Sequence, residues 1–130
     1  MFTIQQIKFA HSKVKSGTDF PKYVQDIIAL GVTTYETFVF DNHTDYYGKD
    51  NFKASSEGLP EALSISDETN IEQFKADLKA HQQVKTDYST FRKDCAKSGI
   101  EKWIVLMDKK TCSYYDKAGN EVLVEAIPTT

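Results

Sequence analysis

Two histidines are the titratable side chains of this chain whose positions best suit acid–base chemistry. His11 and His81 each lie within an apolar stripe of helical spacing, and they occupy equivalent places in two similar stretches of sequence. Two imidazoles brought together could exchange a proton or bind a ligand near neutral pH. The simpler interpretation, which the sequence favours, is a pair of buried, neutral histidines that are hydrogen-bonded inside the core.

Adjacent tyrosines form the second group of candidates. Tyr46-Tyr47 and Tyr114-Tyr115 lie in predicted strands, where neighbouring side chains point to opposite faces. One ring of each pair is expected under the helices and the other on the outer face, where Tyr35 and Trp103 could help it stack on a base or planar ligand. Cross-strand packing is the commoner use of such rings. The candidate ligand-binding residues are therefore His11, His81, Tyr47, Tyr115 and Trp103, with no catalytic residue assigned.

A polar turn carries oxygen and nitrogen atoms that could bind a metal. Asp41, His43 and Asp45 are close in sequence, and Asp50 follows. The spacing does not fit a calcium loop, because Tyr46 stands where such a loop requires glycine. A polar hairpin turn is the favoured interpretation, and the sequence predicts neither a metal nor a cofactor.

Cysteine usage and charge restrict the class of protein. Cys95 and Cys112 are not in a Cys-x-x-Cys arrangement, and Cys95 corresponds to Ile27 of the first stretch, which favours a core position over a nucleophile. Unpaired thiols and an N-terminus without a continuous apolar run predict a cytoplasmic protein with no membrane contact. The net charge of -3 argues against binding to nucleic acid, which requires a basic face.

The elements that position these residues occur twice in the sequence. Several residues recur 68 positions further on with the same or a similar side chain. The clearest pairs are Thr18/Thr86, Asp19/Asp87, Asp26/Asp94, Gly31/Gly99, Tyr46/Tyr114, Tyr47/Tyr115 and Tyr35/Trp103. Each copy has two helical patterns followed by alternating strand patterns, so the repeat unit is predicted to be helix, helix and β-meander.

These patterns predict an α+β fold with an internal duplication. Repeat unit one spans about 3–56, an acidic connector spans 57–70, and repeat unit two spans about 71–127, all within a single domain, 1–130. Thr3 with Gln6 predicts a capping box at the first helix, and Ala62–Ile65 predicts a short extra strand. Because one helix pair on a three-stranded meander leaves an apolar face open, the antiparallel sheets of the two units are expected to close around an approximate twofold axis under the helices.

Four parts of the sequence have a recognisable pattern: Lys15–Pro21, Lys79–Gln82 with Thr86–Tyr88, Gly99–Trp103 and Thr111–Asn120. They span nearly the whole chain, and through them it resembles the YdfO/YbcV-like family, which includes prophage-encoded bacterial proteins. The resemblance implies a protein of phage or prophage type and provides no catalytic residue to transfer.

The sequence favours a non-catalytic protein-interaction module, whose partner is another protein or a second copy of the chain. The outer aromatic rings and the acidic connector are the predicted contact surfaces. One alternative is a small-molecule-binding protein or enzyme with its site at the seam between the units. Another is an acidic mimic that inhibits a nucleic-acid enzyme. The sequence contains no glycine-rich phosphate loop, His-Glu-x-x-His helix or Gly-x-Ser-x-Gly turn, so no motif assigns an activity.

Overall fold

The computed structural model describes residues 2–14, 19–82 and 88–127. Within these ranges the helices are α1 (Ile4–His11), α2 (Phe20–Leu30), α3 (Ile71–Gln82) and α4 (Tyr88–Lys97), with a short 3-10 turn at Lys49–Asn51. The strands are β1 (Thr34–Phe38), β2 (Thr44–Tyr47), β3 (Lys53–Ser55), β4 (Ile100–Leu106), β5 (Thr111–Asp116) and β6 (Glu121–Ala126).

Local sequence signals set the ends of the helices. The Thr3 side chain accepts a hydrogen bond from the Gln6 amide at 3.1 Å, and the Gln6 side chain accepts one from the Thr3 amide at 2.8 Å, which confirms the capping box. Gly31 follows α2 in the left-handed conformation with φ of 105°. The predicted caps at Thr18, Thr86 and Asp87 lie outside the described residues.

One six-stranded antiparallel sheet holds both halves of the chain, and the predicted α+β class is confirmed. Its strand order is β3-β2-β1-β4-β5-β6, so β1 and β4 meet at the centre. Glu36 pairs with Ile104, which is the residue 68 positions further on, and the flanking pairs are Tyr35–Val105 and Thr37–Trp103. A twofold axis through the Glu36–Ile104 pair would exchange the pair Tyr35–Val105 with the pair Thr37–Trp103. The order of elements and this register fit a duplication, which itself stays a prediction.

The hydrophobic core lies between the helices and one face of the sheet. Alternate strand residues such as Tyr35, Tyr46, Trp103 and Tyr114 are buried there. Buried side chains of the helices pack against them, among them Ile7, Tyr23, Val24, Ile27, Phe74, Leu78, Phe91 and Cys95. The prediction that one tyrosine of each adjacent pair packs under the helices is therefore confirmed, as is the core position of Cys95.

The connector between the halves contains no strand, so the prediction of one at Ala62–Ile65 is wrong. The segment is held by separate backbone hydrogen bonds, from Leu63 to the Phe40 carbonyl at 2.6 Å and from Ser66 to the Ala96 carbonyl at 2.9 Å. Because it crosses from loops of one half to the end of α4 in the other, it runs alongside no single strand with which it could form a ladder.

Candidate functional site

One face of the sheet is turned away from the described helices. We call it the outer face. Directly paired residues on neighbouring strands share a face, and this assigns its members. They are Thr34, Glu36, Phe38, Asp45, Tyr47, Lys53, Ser55, Lys102, Ile104, Leu106, Thr111, Ser113, Tyr115, Glu121, Val124 and Ala126.

Tyr47 and Tyr115 both lie on the outer face, as expected, but at opposite corners. They are three strands and four residues apart, which corresponds to roughly 20 Å from standard strand spacings. Each ring has a lysine above it, with the nitrogens of Lys53 and Lys102 each 5.8 Å from the ring centroid. These rings form two separate aromatic patches, because that separation is too large for one small ligand to bridge.

Trp103 lies on the opposite face of the sheet from these tyrosines. It is buried, and its ring centroid is 5.9 Å from that of Phe91 and 6.1 Å from that of Tyr114. Tyr35, the aromatic residue at the corresponding position of β1, is likewise buried. The structure therefore separates Trp103 from the outer tyrosines, and a ligand-binding role for it stays a prediction.

His11 and His81 each contact an aromatic ring of the neighbouring helix in their own half. His11 at the end of α1 meets the Tyr23 ring edge-on at 5.3 Å, whereas the half-buried His81 stacks on Phe91 at 4.5 Å. The favoured interpretation of a buried histidine is wrong for His11, which is exposed overall because it lies at the end of α1. Partial desolvation of its side chain still lowers its pKa. A joint histidine site stays a prediction.

The predicted polar turn contains a closely held Asp–His pair. One Asp41 carboxylate oxygen lies 2.5 Å from Nδ1 of His43 and accepts the His43 amide at 3.0 Å, while the imidazole stacks on Phe38 with centroids 4.4 Å apart. Partial burial acts to raise the pKa of Asp41, but its contacts with His43 prevail and lower it. The pair fixes the turn between β1 and β2, and among the described residues no three His, Cys, Asp or Glu side chains gather as a metal site.

Both cysteine thiols are buried and held in the protonated form. Burial raises the pKa of Cys112 to about 12 and also raises the pKa of Cys95 well above its ordinary value. A protonated, buried thiol is a poor nucleophile. The chemistry of these two side chains is therefore that of small core residues.

Sequence patterns missed a buried cation that joins the two halves. Arg92 of α4 donates to the carbonyls of Val39 and Phe40 at 2.7 Å each and to that of Glu61 at 3.5 Å. The residue at the corresponding position of the first copy is Val24, which is buried. The sequence signal for this contact was an arginine at a helix position where the pattern predicts an apolar residue. A charge buried there requires hydrogen-bond partners, so the position indicated a contact with another segment.

Two shallow cavities of the described structure are lined by residues other than the candidates. One, of about 480 Å³, lies along α1 and α2 and includes Phe9 and Leu30. The other, of about 310 Å³, lies between α3 and β6. Neither includes any of the five candidate ligand-binding residues, so the small-molecule alternative gains no support from them.

The fold defines the class of protein as an α+β domain in which helices cover one face of an antiparallel sheet. The model of a family described as a protein of unknown function (DUF1398) matches residues 8–126, and the chain belongs to this family. A search of curated proteins found no match. No helix within the described ranges combines the length and apolar character needed to cross a membrane.

Proposed function

We propose that the protein is a non-catalytic interaction module that associates with a second copy of itself through the outer face of the sheet. The uncovered state of this face is the observation that carries the proposal, since all described helices pack on the other side. The proposal includes a phage or prophage origin, which the resemblance to the YdfO/YbcV-like family supports, and a cytoplasmic location, which the unpaired buried cysteines support.

The charges of the outer face favour a copy of the same surface as its partner. Lys102 forms an ion pair with Glu36 at 3.0 Å, and Lys53 forms a longer one with Asp45 at 3.8 Å. Each cation on this face is therefore balanced by a carboxylate on the same face, and Glu121 leaves a single carboxylate in excess. A surface this close to neutral does not require an oppositely charged partner, and it can approach its own copy with little net repulsion.

The size of the outer face is sufficient for a weak specific dimer. Strand spacings of about 4.8 Å and rises of about 3.4 Å per residue give a planar area of roughly 500 Å² for six short strands. Two such faces would bury roughly 1,000 Å², the lower limit for a specific protein interface. The side chains of Phe38, Ile104 and Leu106 would supply the apolar contacts at its centre, with the two tyrosines at the corners.

Sedimentation equilibrium of the full chain tests the proposal. We expect a monomer–dimer equilibrium with a Kd of order 10 to 100 μM, and a weakening of at least about tenfold in the double variant Tyr47→Ser/Tyr115→Ser. Phe9→Ser is the matched control, because Phe9 is the most exposed large apolar side chain on the helix side, at 67%. A monomer at all concentrations, or a dimer that the double variant leaves unchanged, would contradict the proposal and turn attention to a different protein partner.

A further inference from the structure

We propose that the free edge of β6, together with the cleft beneath α3, is a docking site for an extended peptide segment of a partner protein. The segment would join the sheet as a seventh strand and place one apolar and one acidic side chain on its helix-facing side. This inference goes beyond the proposed function, because it uses the edge of the sheet and not its outer face.

The backbone register identifies which groups of β6 are free to pair. The Ile127 amide donates to the Lys110 carbonyl at 2.7 Å, which marks these residues as a hydrogen-bonded antiparallel pair. Hydrogen-bonded pairs alternate along such a ladder, so Val124 and Ala126 belong to non-bonded pairs with β5. Their N–H and C=O groups therefore point to the open edge, where β6 has no neighbouring strand among the described residues.

The two edges of the sheet are protected to different extents. β3 at one edge has three residues, and the charged side chain of Lys53 stands at its start. Short, lysine-bearing edges resist the addition of another strand. β6 has six residues with Val122, Leu123 and Val124 in succession and no lysine. It therefore offers a longer and more apolar template.

The cleft beneath α3 provides a site for helix-facing side chains of an added strand. It has a volume of about 310 Å³ and is lined by Lys75, Leu78 and Lys79 of α3 and by Leu123 and Glu125 of β6. Leu78 and Leu123 supply an apolar floor next to the free edge. A groove between an edge strand and a helix is a recurring site for the addition of an extended peptide, in which backbone bonds give affinity and the groove gives specificity.

The charges of the cleft favour a carboxylate on the incoming segment. Lys75 and Lys79 are exposed, and neither forms an ion pair with a described residue, so two cations face the single carboxylate of Glu125. Glu125 also accepts a hydrogen bond from the Tyr114 hydroxyl at 3.4 Å. Pairing of β6 with the β6 of a second copy is disfavoured, because both strands carry glutamates and neither carries a basic residue.

The probe is the blocked peptide acetyl-Thr-Val-Thr-Leu-Thr-Glu-Thr-Val-amide, which presents Leu and Glu on one side when extended. We expect NMR titration of the full chain to shift the amide signals of Val124, Ala126, Lys75 and Lys79 and to slow hydrogen exchange at Val124 and Ala126. No shifts, or shifts confined to outer-face residues of β1, β2, β4 and β5, would overturn the inference. Broadening with protein concentration that affects β6 but spares the outer-face residues of β1 and β4 would overturn it in favour of edge pairing with a second copy.

A proline substitution separates backbone pairing from side-chain contact. Val124→Pro removes an N–H that β5 does not use, so the sheet should persist while peptide binding weakens by at least about tenfold. Val124→Thr keeps the N–H and should bind within about twofold of the wild type. Equal binding by both variants would overturn the inference. If Val124→Pro does not fold, N-methylation of alternate peptide residues makes the same test on the native chain.

A double-mutant cycle tests the charge contact and keeps it separate from the proposed dimer. Lys75→Gln/Lys79→Gln should weaken binding of the Glu peptide by roughly fivefold, with little effect on the same peptide carrying Gln. Lys8→Gln on α1 is the matched control. Tyr47→Ser/Tyr115→Ser should still bind the peptide, so failure of the dimer leaves this result unaffected. Equal losses for the Glu and Gln peptides would overturn the assignment of an acidic ligand.

Discussion

Arg92 is the residue on which the junction of the two halves most depends. Its guanidinium reaches backbone carbonyls at the end of β1 and in the connector, although the arginine itself lies in α4. The residue is 7% exposed, so its charge is stabilised by hydrogen bonds to carbonyl oxygens in place of water. A hydrophobic side chain of similar length could fill the space but could not pair those carbonyls.

We expect Arg92→Leu to lower the free energy of unfolding by about 1–3 kcal/mol, because it removes the side-chain donor of the Val39 carbonyl at a fully buried residue, whereas the Phe40 carbonyl keeps the Leu63 amide. Urea denaturation measures the loss, and Lys93→Gln at the adjacent exposed position should change stability by less than about 0.5 kcal/mol. A loss from Arg92→Leu no greater than that of the control would show that the carbonyls find water instead.

The lowered pKa of His11 predicts that the stability of the folded chain falls as the pH decreases. Desolvation against Tyr23 lowers the folded pKa of His11, so the unfolded chain binds this proton more readily. Stability is therefore fully present above the unfolded pKa of about 6.5 and is lost as the pH falls through the lowered folded value. Between about pH 7.5 and about pH 5, the urea concentration at the midpoint of unfolding should fall in the wild type. The fall should be smaller in His11→Gln. Identical decreases would exclude His11 as the cause.

At the scale of elements, two glycines in equivalent places have different surroundings. Gly31 and Gly99 each follow a helix with positive φ, at 105° and 83°. An added Cβ at Gly31 would come no closer than 3.9 Å to Phe2, whereas at Gly99 it would lie 2.6 Å from the Glu68 carbonyl oxygen. The connector passes directly over the end of α4, so the second glycine serves both the helix end and this close approach.

The two glycines therefore give a matched pair of substitutions. We expect Gly31→Ala to cost roughly 1 kcal/mol from backbone strain, and Gly99→Ala to cost roughly 3 kcal/mol, because the connector must also move. Thermal unfolding measures both, and hydrogen exchange at Asn70, whose amide donates to the Ser98 carbonyl at 3.0 Å, should accelerate in Gly99→Ala alone. Equal costs would mean that the connector adjusts freely.

At the scale of the whole molecule, the pairing of β1 with β4 makes one sheet from the two halves of the chain. Either unit alone would expose the inner edge of a central strand and lose the contacts of Arg92. We therefore propose that 1–130 folds as a single domain. Loss of a central strand pair removes both backbone bonds and the packing of the rings on either side.

We expect the full chain to unfold in one cooperative transition, and fragments 1–56 and 57–130 to be unfolded when separate. Circular dichroism of each fragment and of their equimolar mixture makes the comparison, and mixing should restore sheet signal. The intact chain at the same total concentration is the control. A fragment with native-like dispersion of its NMR signals would contradict the single-domain proposal and show two independent units.

The sequence by itself determined those features that depend on near neighbours in the chain. The capping box at Thr3, the glycine at the end of α2 and the opposite directions of Tyr46 and Tyr47 follow from local stereochemistry, which the sequence states directly. Comparison with Ile27 was likewise enough to place Cys95 in the core.

The tertiary structure alone decided which distant segments meet. Pairing of β1 with β4 joins the two halves in one sheet, in which Trp103 lies on the helix side, Tyr47 and Tyr115 lie on the other, and β6 is at one edge of the described strands. The path of the connector and the partners of Arg92 were equally hidden, because a buried guanidinium donates hydrogen bonds to whichever carbonyls the folded chain brings to it. Such contacts depend on the edges and faces that remain free once local elements have formed, and local patterns do not encode that choice.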